Sequence, residues 1–212
     1  LDIPSGALAS ATMLTVVPIN NEAPKGKGPA YRLGPDGTTF SAPVKLTFKY
    51  TAAELAASEA AALGIASQDA MGQWRALKTV TVNETAKTIT GETKHFSDWT
   101  LLTGWQLKPA STSLAAGGAV DLTVELCGRK SDPVDELTAL VVTCAPDDGE
   151  FFVVNEWAAN GKVNGDSTVG TVTSTGTSVA RYSAPSAPPA NNPVSVSASA
   201  TDNASGRKTI LV

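Results

Sequence analysis

Apolar and polar residues alternate with a period of two along most of this chain. Val44, Leu46 and Phe48 interleave with Lys45, Thr47 and Lys49; Val80 and Val82 with Thr79 and Thr81; Val194, Val196 and Ala198 with Ser195, Ser197 and Ser199. Successive side chains of a strand point to opposite faces, so this pattern buries one face and wets the other, as in an antiparallel sandwich. Turn-forming clusters separate the runs: Gly34-Pro35-Asp36-Gly37, Asp69-Ala70-Met71-Gly72, Asn83-Glu84-Thr85, Asp147-Asp148-Gly149 and Asn203-Ala204-Ser205-Gly206. The expected fold class is all-β, built as two tandem antiparallel β-sandwich domains.

One stretch departs from the pattern. Residues 51 to 62 are mostly Ala, Glu and Leu, and Thr51 followed three positions later by Glu54 has the form of a capping box. One short helical segment is expected near residues 51–60, covering one end of a sandwich, with a strand following at Leu63 to Gln68. A boundary is expected near Thr103 to Lys108. A strand through Trp99, Leu101 and Leu102 closes the first half, and Leu107 with the alternating Val120, Leu122, Val124 and Leu126 opens the second. This division gives domains 1–104 and 105–212, each close to the usual sandwich length of about 100 residues. The junction is poor in Gly, Ser and Pro, and neither half repeats the other.

Composition narrows the function. Only 17% of the 212 residues are charged and the net charge is −4, so no basic surface is available to neutralise nucleic-acid phosphates. Nucleic acid is excluded as a partner. No run approaches the roughly 20 continuous apolar residues of a membrane helix, and no basic-then-apolar leader is present. The opening Leu1-Asp2-Ile3-Pro4 is already strand-like and reads as a domain edge, with a leader or lipid-anchor segment expected to lie outside it. Abundant Thr, Ser, Ala and Gly, with only Cys127 and Cys144 as cysteines, fit an extracytoplasmic β protein, placed in the periplasm, on the outer-membrane surface or secreted. Paired, the cysteines close a loop of about 17 residues, worth about 3 kcal/mol in the chain-entropy model. Unpaired, they would be two buried thiols.

Three blocks of the first half, in order, carry a resemblance. They are Ile3-Pro4-Ser5-Gly6-Ala7-Leu8, then Gly34-Pro35-Asp36-Gly37-Thr38-Thr39-Phe40-Ser41-Ala42-Pro43-Val44, then His95-Phe96-Ser97 before Asp98 and Trp99. Residues 1 to 103 thereby resemble the ZU-five domain of ankyrins, netrin receptors and zonula-occludens proteins, and especially its exported bacterial relatives. Physical roles for these blocks follow independently. Pro4 blocks edge pairing, Gly6 permits a positive φ, and Pro35-Asp36-Gly37 reverses the chain into the strand headed by Phe40 and Val44. The second half resembles a bacterial immunoglobulin-like module through Tyr182-Ser183-Ala184-Pro185, Pro188-Pro189 and Asn192-Pro193-Val194. It departs from antibody-type domains because Cys127 and Cys144 fall on consecutive strands or their loops and would staple a flap.

A nucleophile, a titratable base and a bend coincide only at His95-Phe96-Ser97. The resemblance implies a self-cleavage reading, since a matching triplet in a death-domain signalling member of the family cuts its own backbone before the serine. Ser97 Oγ would attack the Phe96 carbonyl of a strained peptide, His95 would assist proton transfer, and water would hydrolyse the ester. The alternative is a structural bend in which His95 bonds the backbone, Phe96 packs inward and Ser97 caps the turn.

Asp147, Asp148 and Glu150 are candidate Ca²⁺ ligands, as are Asp132, Asp135 and Glu136; an isolated acidic turn is otherwise just solvated. Trp74, Trp99, Trp105 and Trp157 form either a sugar-stacking platform or core. The Pro-rich residues 184 to 193 form either a polyproline ligand or a rigid connection. Asn83-Glu84-Thr85 and Asn203-Ala204-Ser205 match the glycosylation sequon. No cofactor is expected.

The leading expectation is a non-enzymatic exported or cell-surface module of a bacterial lipoprotein or surface protein. It would space, display or bind another protein or a cell-surface polymer. The alternatives are the self-processing domain cutting between Phe96 and Ser97, and a carbohydrate-binding module.

Overall fold

The computed structural model describes residues 1–131, 137–203, 206 and 208–212, with the backbone alone for residues 128–131, 140, 142 and 143. Asp132, Asp135 and Glu136, and the Ala204 and Ser205 of the second sequon, lie outside the described residues. The first strands in chain order are β1 (Thr15–Ile19), β2 (Gly26–Gly34), β3 (Thr39–Lys49), β4 (Leu63–Gln68), β5 (Trp74–Leu77), β6 (Val80–Asn83), β7 (Thr88–His95), β8 (Asp98–Thr103) and β9 (Trp105–Lys108). They are followed by β10 (Ala119–Ser131), β11 (Thr138–Pro146), β12 (Phe152–Ala159), β13 (Lys162–Val163), β14 (Gly165–Asp166), β15 (Gly170–Ser174), β16 (Val179–Ser183), β17 (Val196–Asp202) and β18 (Lys208–Leu211). The protein is all-β, and each pairing for which a register is resolved is antiparallel.

Two compact units are present. The first comprises Leu1–Leu55, Ala60–Gly104 and Cys127–Cys144, and the second Ala56–Glu59, Trp105–Leu126 and Ala145–Val212. The chain passes from one to the other between Gly104 and Trp105, but two segments cross that simple division. Residues 56–59 belong with the second unit, and the hairpin held between Cys127 and Cys144 belongs with the first.

In the first unit, strands β1, β2, β8, β4, β5 and β11 lie side by side in that order, and β3, β7 and β6 form a second sheet. The two sheets share one apolar core: Leu33, Ile65, Leu77, Trp99 and Leu101 from the first meet Phe40, Val44, Leu46 and Ile89 from the second. Strand β3 shows the period-two reading directly, with Val44 and Leu46 buried while Lys45, Thr47 and Lys49 are exposed. Strands β4 and β8 do not alternate, because both their faces are covered: Ala66 and Leu102 turn away from the main core into a second cluster with Ala23, Trp74, Ala76 and Val141. Arg32 and Asp98 face each other in the β2–β8 register and form a two-pronged ion pair, both N···O distances being 2.8 Å.

The second unit is also a sandwich. One sheet holds β10, β16, β15 and β14 with β9 pairing on β10, and the other runs β13, β12, β17, β18. Leu107, Leu122, Val124, Val172 and Tyr182 pack against Trp157, Ala159, Ala198 and Leu211 between them. Tyr182 keeps its polar tip satisfied inside this core by donating from Oη to the Val169 carbonyl at 2.9 Å.

Local chemistry explains the connections. The capping box forms: Thr51 N donates to Glu54 Oε2 at 2.6 Å and Glu54 N to Thr51 Oγ1 at 3.3 Å. Only turns follow it, and the helical content of this stretch is a single 3₁₀ turn at Ala60–Ala62. Its small side chains bury too little apolar area to extend a helix. The expected strand at the N-terminus is reduced to one bridge, Asp2 with Lys45, followed by a turn in which Ala7 N donates to Pro4 O at 3.1 Å. Pro4 has no N–H for a ladder and Gly6 takes φ +79°, so the chain reverses instead of continuing.

The β4–β5 hairpin is tied by Asp69. Its Oδ1 accepts Met71 N and Gln73 N, each at 2.9 Å, and its Oδ2 accepts Arg75 Nε at 2.8 Å. Burial alone would push this carboxyl up, but the bonds from Arg75, Gln73 and Met71 hold it below its ordinary 3.8. A depressed native pKa stabilises the fold above the unfolded value and ceases to do so as pH falls through the native one. The hairpin amides of residues 68–75 are therefore expected to lose hydrogen-exchange protection below about pH 4, and Asp69→Asn to remove this pH dependence. An unchanged acid profile in that variant would show that other carboxyls carry it.

Candidate functional site

The His95-Phe96-Ser97 triplet forms the bend between β7 and β8, and four bonds pin it. Phe96 N donates to Thr38 O at 2.8 Å, Gly37 N donates to Phe96 O at 3.4 Å, and Leu33 N donates to Ser97 O at 3.0 Å. Ser97 Oγ donates to the Gln68 carbonyl at 2.5 Å. Phe96 is buried and meets Phe40 edge-on, with ring centroids 4.9 Å apart. The turn that grips the bend depends on Gly37, whose φ of +73° is strained for a residue with a Cβ. Thr38 Oγ1 closes that turn by donating to Pro35 O at 2.6 Å.

The three sequence blocks are thus brought together in space. Ser41 N donates to Ala7 O at 3.0 Å and Ser41 Oγ to Gly6 O at 2.9 Å, linking the first block to the second. Gly37, Thr38 and Phe40 link the second to the third.

The arrangement has consequences for chemistry at Ser97. A general base must lie within hydrogen-bonding reach of the proton it removes. Here that proton is directed to the Gln68 carbonyl, and the His95 ring lies beside Trp99, with centroids 5.5 Å apart. No hydrogen bond joins His95 to Ser97. Neither Phe96 nor Ser97 has a positive φ, and their peptide bond is trans. The contact that organises this site, the Gln68 carbonyl, carried no signal in the sequence, because every residue has one.

Cys127 and Cys144 form a disulfide that joins β10 to β11. Asp147 is buried, its Oδ2 accepting Phe152 N at 2.9 Å and its Oδ1 accepting Phe151 N at 3.5 Å, while its carbonyl accepts the Ser178 hydroxyl. Asp148 Oδ1 accepts Glu150 N at 3.1 Å. These carboxylates brace a turn, and no group of three or more His, Cys, Asp or Glu side chains is placed to hold a metal ion among the described residues. Trp74, Trp99 and Trp157 are buried, and the half-buried Trp105 packs on Phe152 with centroids 4.7 Å apart. They act as core side chains rather than as an open platform for sugar rings. Asn83 is exposed in the β6–β7 turn, its Oδ1 accepting Ala86 N at 2.9 Å.

Both units carry concave surfaces. In the second unit, a groove of about 500 Å³ runs between residues 109–116 and 184–196 and is lined mainly by Pro, Ala, Leu and Val. The Pro-rich wall is held in place: Asn160 Nδ2 donates to Asn191 O at 3.3 Å, Ser195 N donates to Asn160 Oδ1 at 2.8 Å, and Gly117 N donates to Pro185 O at 2.9 Å. It is a fixed connection in this fold. In the first unit, a smaller pocket of about 240 Å³ opens beside the edges of β1 and β3. No helix among the described residues is long and apolar enough to cross a membrane. Comparison of the chain with protein-family models, curated proteins and solved structures gave no match.

Proposed function

We propose that this chain is a non-enzymatic extracytoplasmic module whose role is to space, display or bind another protein or a cell-surface polymer. The observation that carries this reading is the bond from Ser97 Oγ to the Gln68 carbonyl. It turns the one serine placed beside a histidine at a bend into a fastener for β4, β7 and β8. The Cys127–Cys144 disulfide supports an oxidising compartment, since such crosslinks persist outside the reducing cytosol. The ZU-five-like reading of residues 1–104 gains support from the convergence of its three blocks around Phe96. The immunoglobulin-like reading of residues 105–212 gains it from the sandwich of the second unit. Sandwich modules of this kind carry their contacts on loops and free strand edges, with the stacked sheets serving as scaffold.

Mass measurement under denaturing conditions tests the proposal. A single species at 21.7 kDa is expected, unchanged after prolonged incubation across neutral pH. Two fragments meeting between Phe96 and Ser97, and absent in Ser97→Ala, would replace this reading with self-processing.

A further inference from the structure

Two segments of the chain carry the Asn-X-Ser/Thr pattern that accepts an N-linked glycan, Asn83-Glu84-Thr85 and Asn203-Ala204-Ser205. The fold treats their asparagines differently. Asn83 is the last residue of β6 and pairs with Thr88 of β7 across a hairpin loop of four residues, Glu84 to Lys87. This is a common hairpin loop length, and Lys87 closes it in the left-handed region at φ +51°. Asn83, Glu84 and Thr85 are all exposed.

A side-chain amide has a carbonyl oxygen that accepts and an NH₂ group that donates. At Asn83 only the oxygen is engaged. It accepts Ala86 N at 2.9 Å, and neither Asn83 Nδ2 nor the Thr85 hydroxyl has a hydrogen-bond partner among the described residues. At Asn203 the nitrogen is the engaged atom: Nδ2 donates to Gly149 O at 2.8 Å and to Glu150 O at 3.0 Å. Those bonds tie the residue after β17 to the turn before β12. The surroundings of Asn83 also suit a polar adduct, because in register it shares a sheet face with Thr88 and, across β7, with Lys49. Val82 and Ile89 take the opposite, core-facing side. A glycan leaving Asn83 therefore lies over polar side chains and displaces no core contact.

We propose that Asn83 is an N-glycan acceptor on the folded chain and that Asn203 is not, because its amide nitrogen is tied to the 149–150 carbonyls. The co-substrate is a lipid-linked oligosaccharide diphosphate, presented by an oligosaccharyltransferase. Asn83 Nδ2 forms a bond to the anomeric carbon and gives up one proton. The bond from that carbon to the phosphate oxygen breaks, and its electron pair leaves with the lipid diphosphate. The Thr85 hydroxyl, exposed two residues on, completes the recognised pattern. The proposal rests on the extracytoplasmic placement given above, since such transfer acts on exported chains, and it names what the first unit would display.

The test uses the purified, folded chain with a single-subunit oligosaccharyltransferase and a lipid-linked oligosaccharide of known mass. One glycan is expected, located at Asn83 by peptide mapping. Asn83→Gln and Thr85→Ala are each expected to abolish transfer, and Thr85→Ser, which keeps a hydroxyl, to retain it. In tryptic peptides of the same chain, where the tertiary bonds are gone, both sequons are expected to be modified. No transfer to Asn83 of the folded chain, a glycan at Asn203 of the folded chain, or an Asn203 peptide that stays unmodified would each overturn the proposal. Cleavage at 96–97 would appear in the same spectra as residues 1–96 and 97–212. It would strike the module reading, while a glycan on the first fragment would still be scored.

Discussion

Replacing Trp99 by Ala is expected to destabilise the first unit by about 3–5 kcal/mol, the range for truncating a large aromatic in a packed core. Trp99 is fully buried in β8 and touches residues of both sheets through the core that includes Ile65, Phe96 and Leu101. Its loss would leave a cavity between strands that are themselves covered on both faces, so collapse cannot readily fill it. The indole also carries a buried Nε1 with no hydrogen-bond acceptor. Trp99→Phe removes that unsatisfied donor together with some apolar area, so its cost should be well under that of the alanine variant. Native-state hydrogen exchange at the β4 and β8 amides is the direct measurement, since it reads this unit without assuming that the whole chain unfolds in one step. Exchange at Ile65 and Leu101 that is unchanged in Trp99→Ala would mean that the core is organised around other side chains.

Removing the Cys127–Cys144 disulfide comes second in expected size. The bridge closes a 17-residue separation, for which chain entropy predicts about 3 kcal/mol. The paired variant Cys127→Ser with Cys144→Ser should therefore lower the denaturant midpoint of the first unit, to which the hairpin belongs. Treatment of the unaltered chain with a reductant should do the same, and the variant should be insensitive to it. Coincident unfolding curves for the oxidised chain and the double variant would show that the hairpin is held by strand pairing alone.

Much of the local structure was legible because side-chain direction in a strand is a local property. The interleaved Val44-Lys45-Leu46-Thr47 run became β3 with the buried face that the pattern implies, and the strand expected at Leu63 to Gln68 is β4. Where alternation failed as a guide, both faces of a strand were covered. The Leu63–Gln68 and Asp98–Thr103 strands are buried almost throughout, with Ser67, Thr100 and Thr103 inside, and residue type alone does not announce that. The capping box at Thr51 and Glu54 was equally legible and formed as read, yet a cap fixes only where a helix can begin, and packing supplied no reason for one to continue.

The candidate site divides along the same line. The sequence by itself determined that a histidine and a serine flank an aromatic at one expected bend, and that Cys127 and Cys144 were the sole available crosslink. Only the tertiary structure decided that Ser97 Oγ meets the backbone of Gln68, 29 residues earlier, rather than His95 two residues away. Tertiary structure also decided that residues 127–144 join the first unit. The physical reason is common to both. Which strands become neighbours, and which carbonyl a hydroxyl finds, depend on backbone groups that every residue carries alike, so they are settled by the packing of distant segments and leave no mark in the order of side chains.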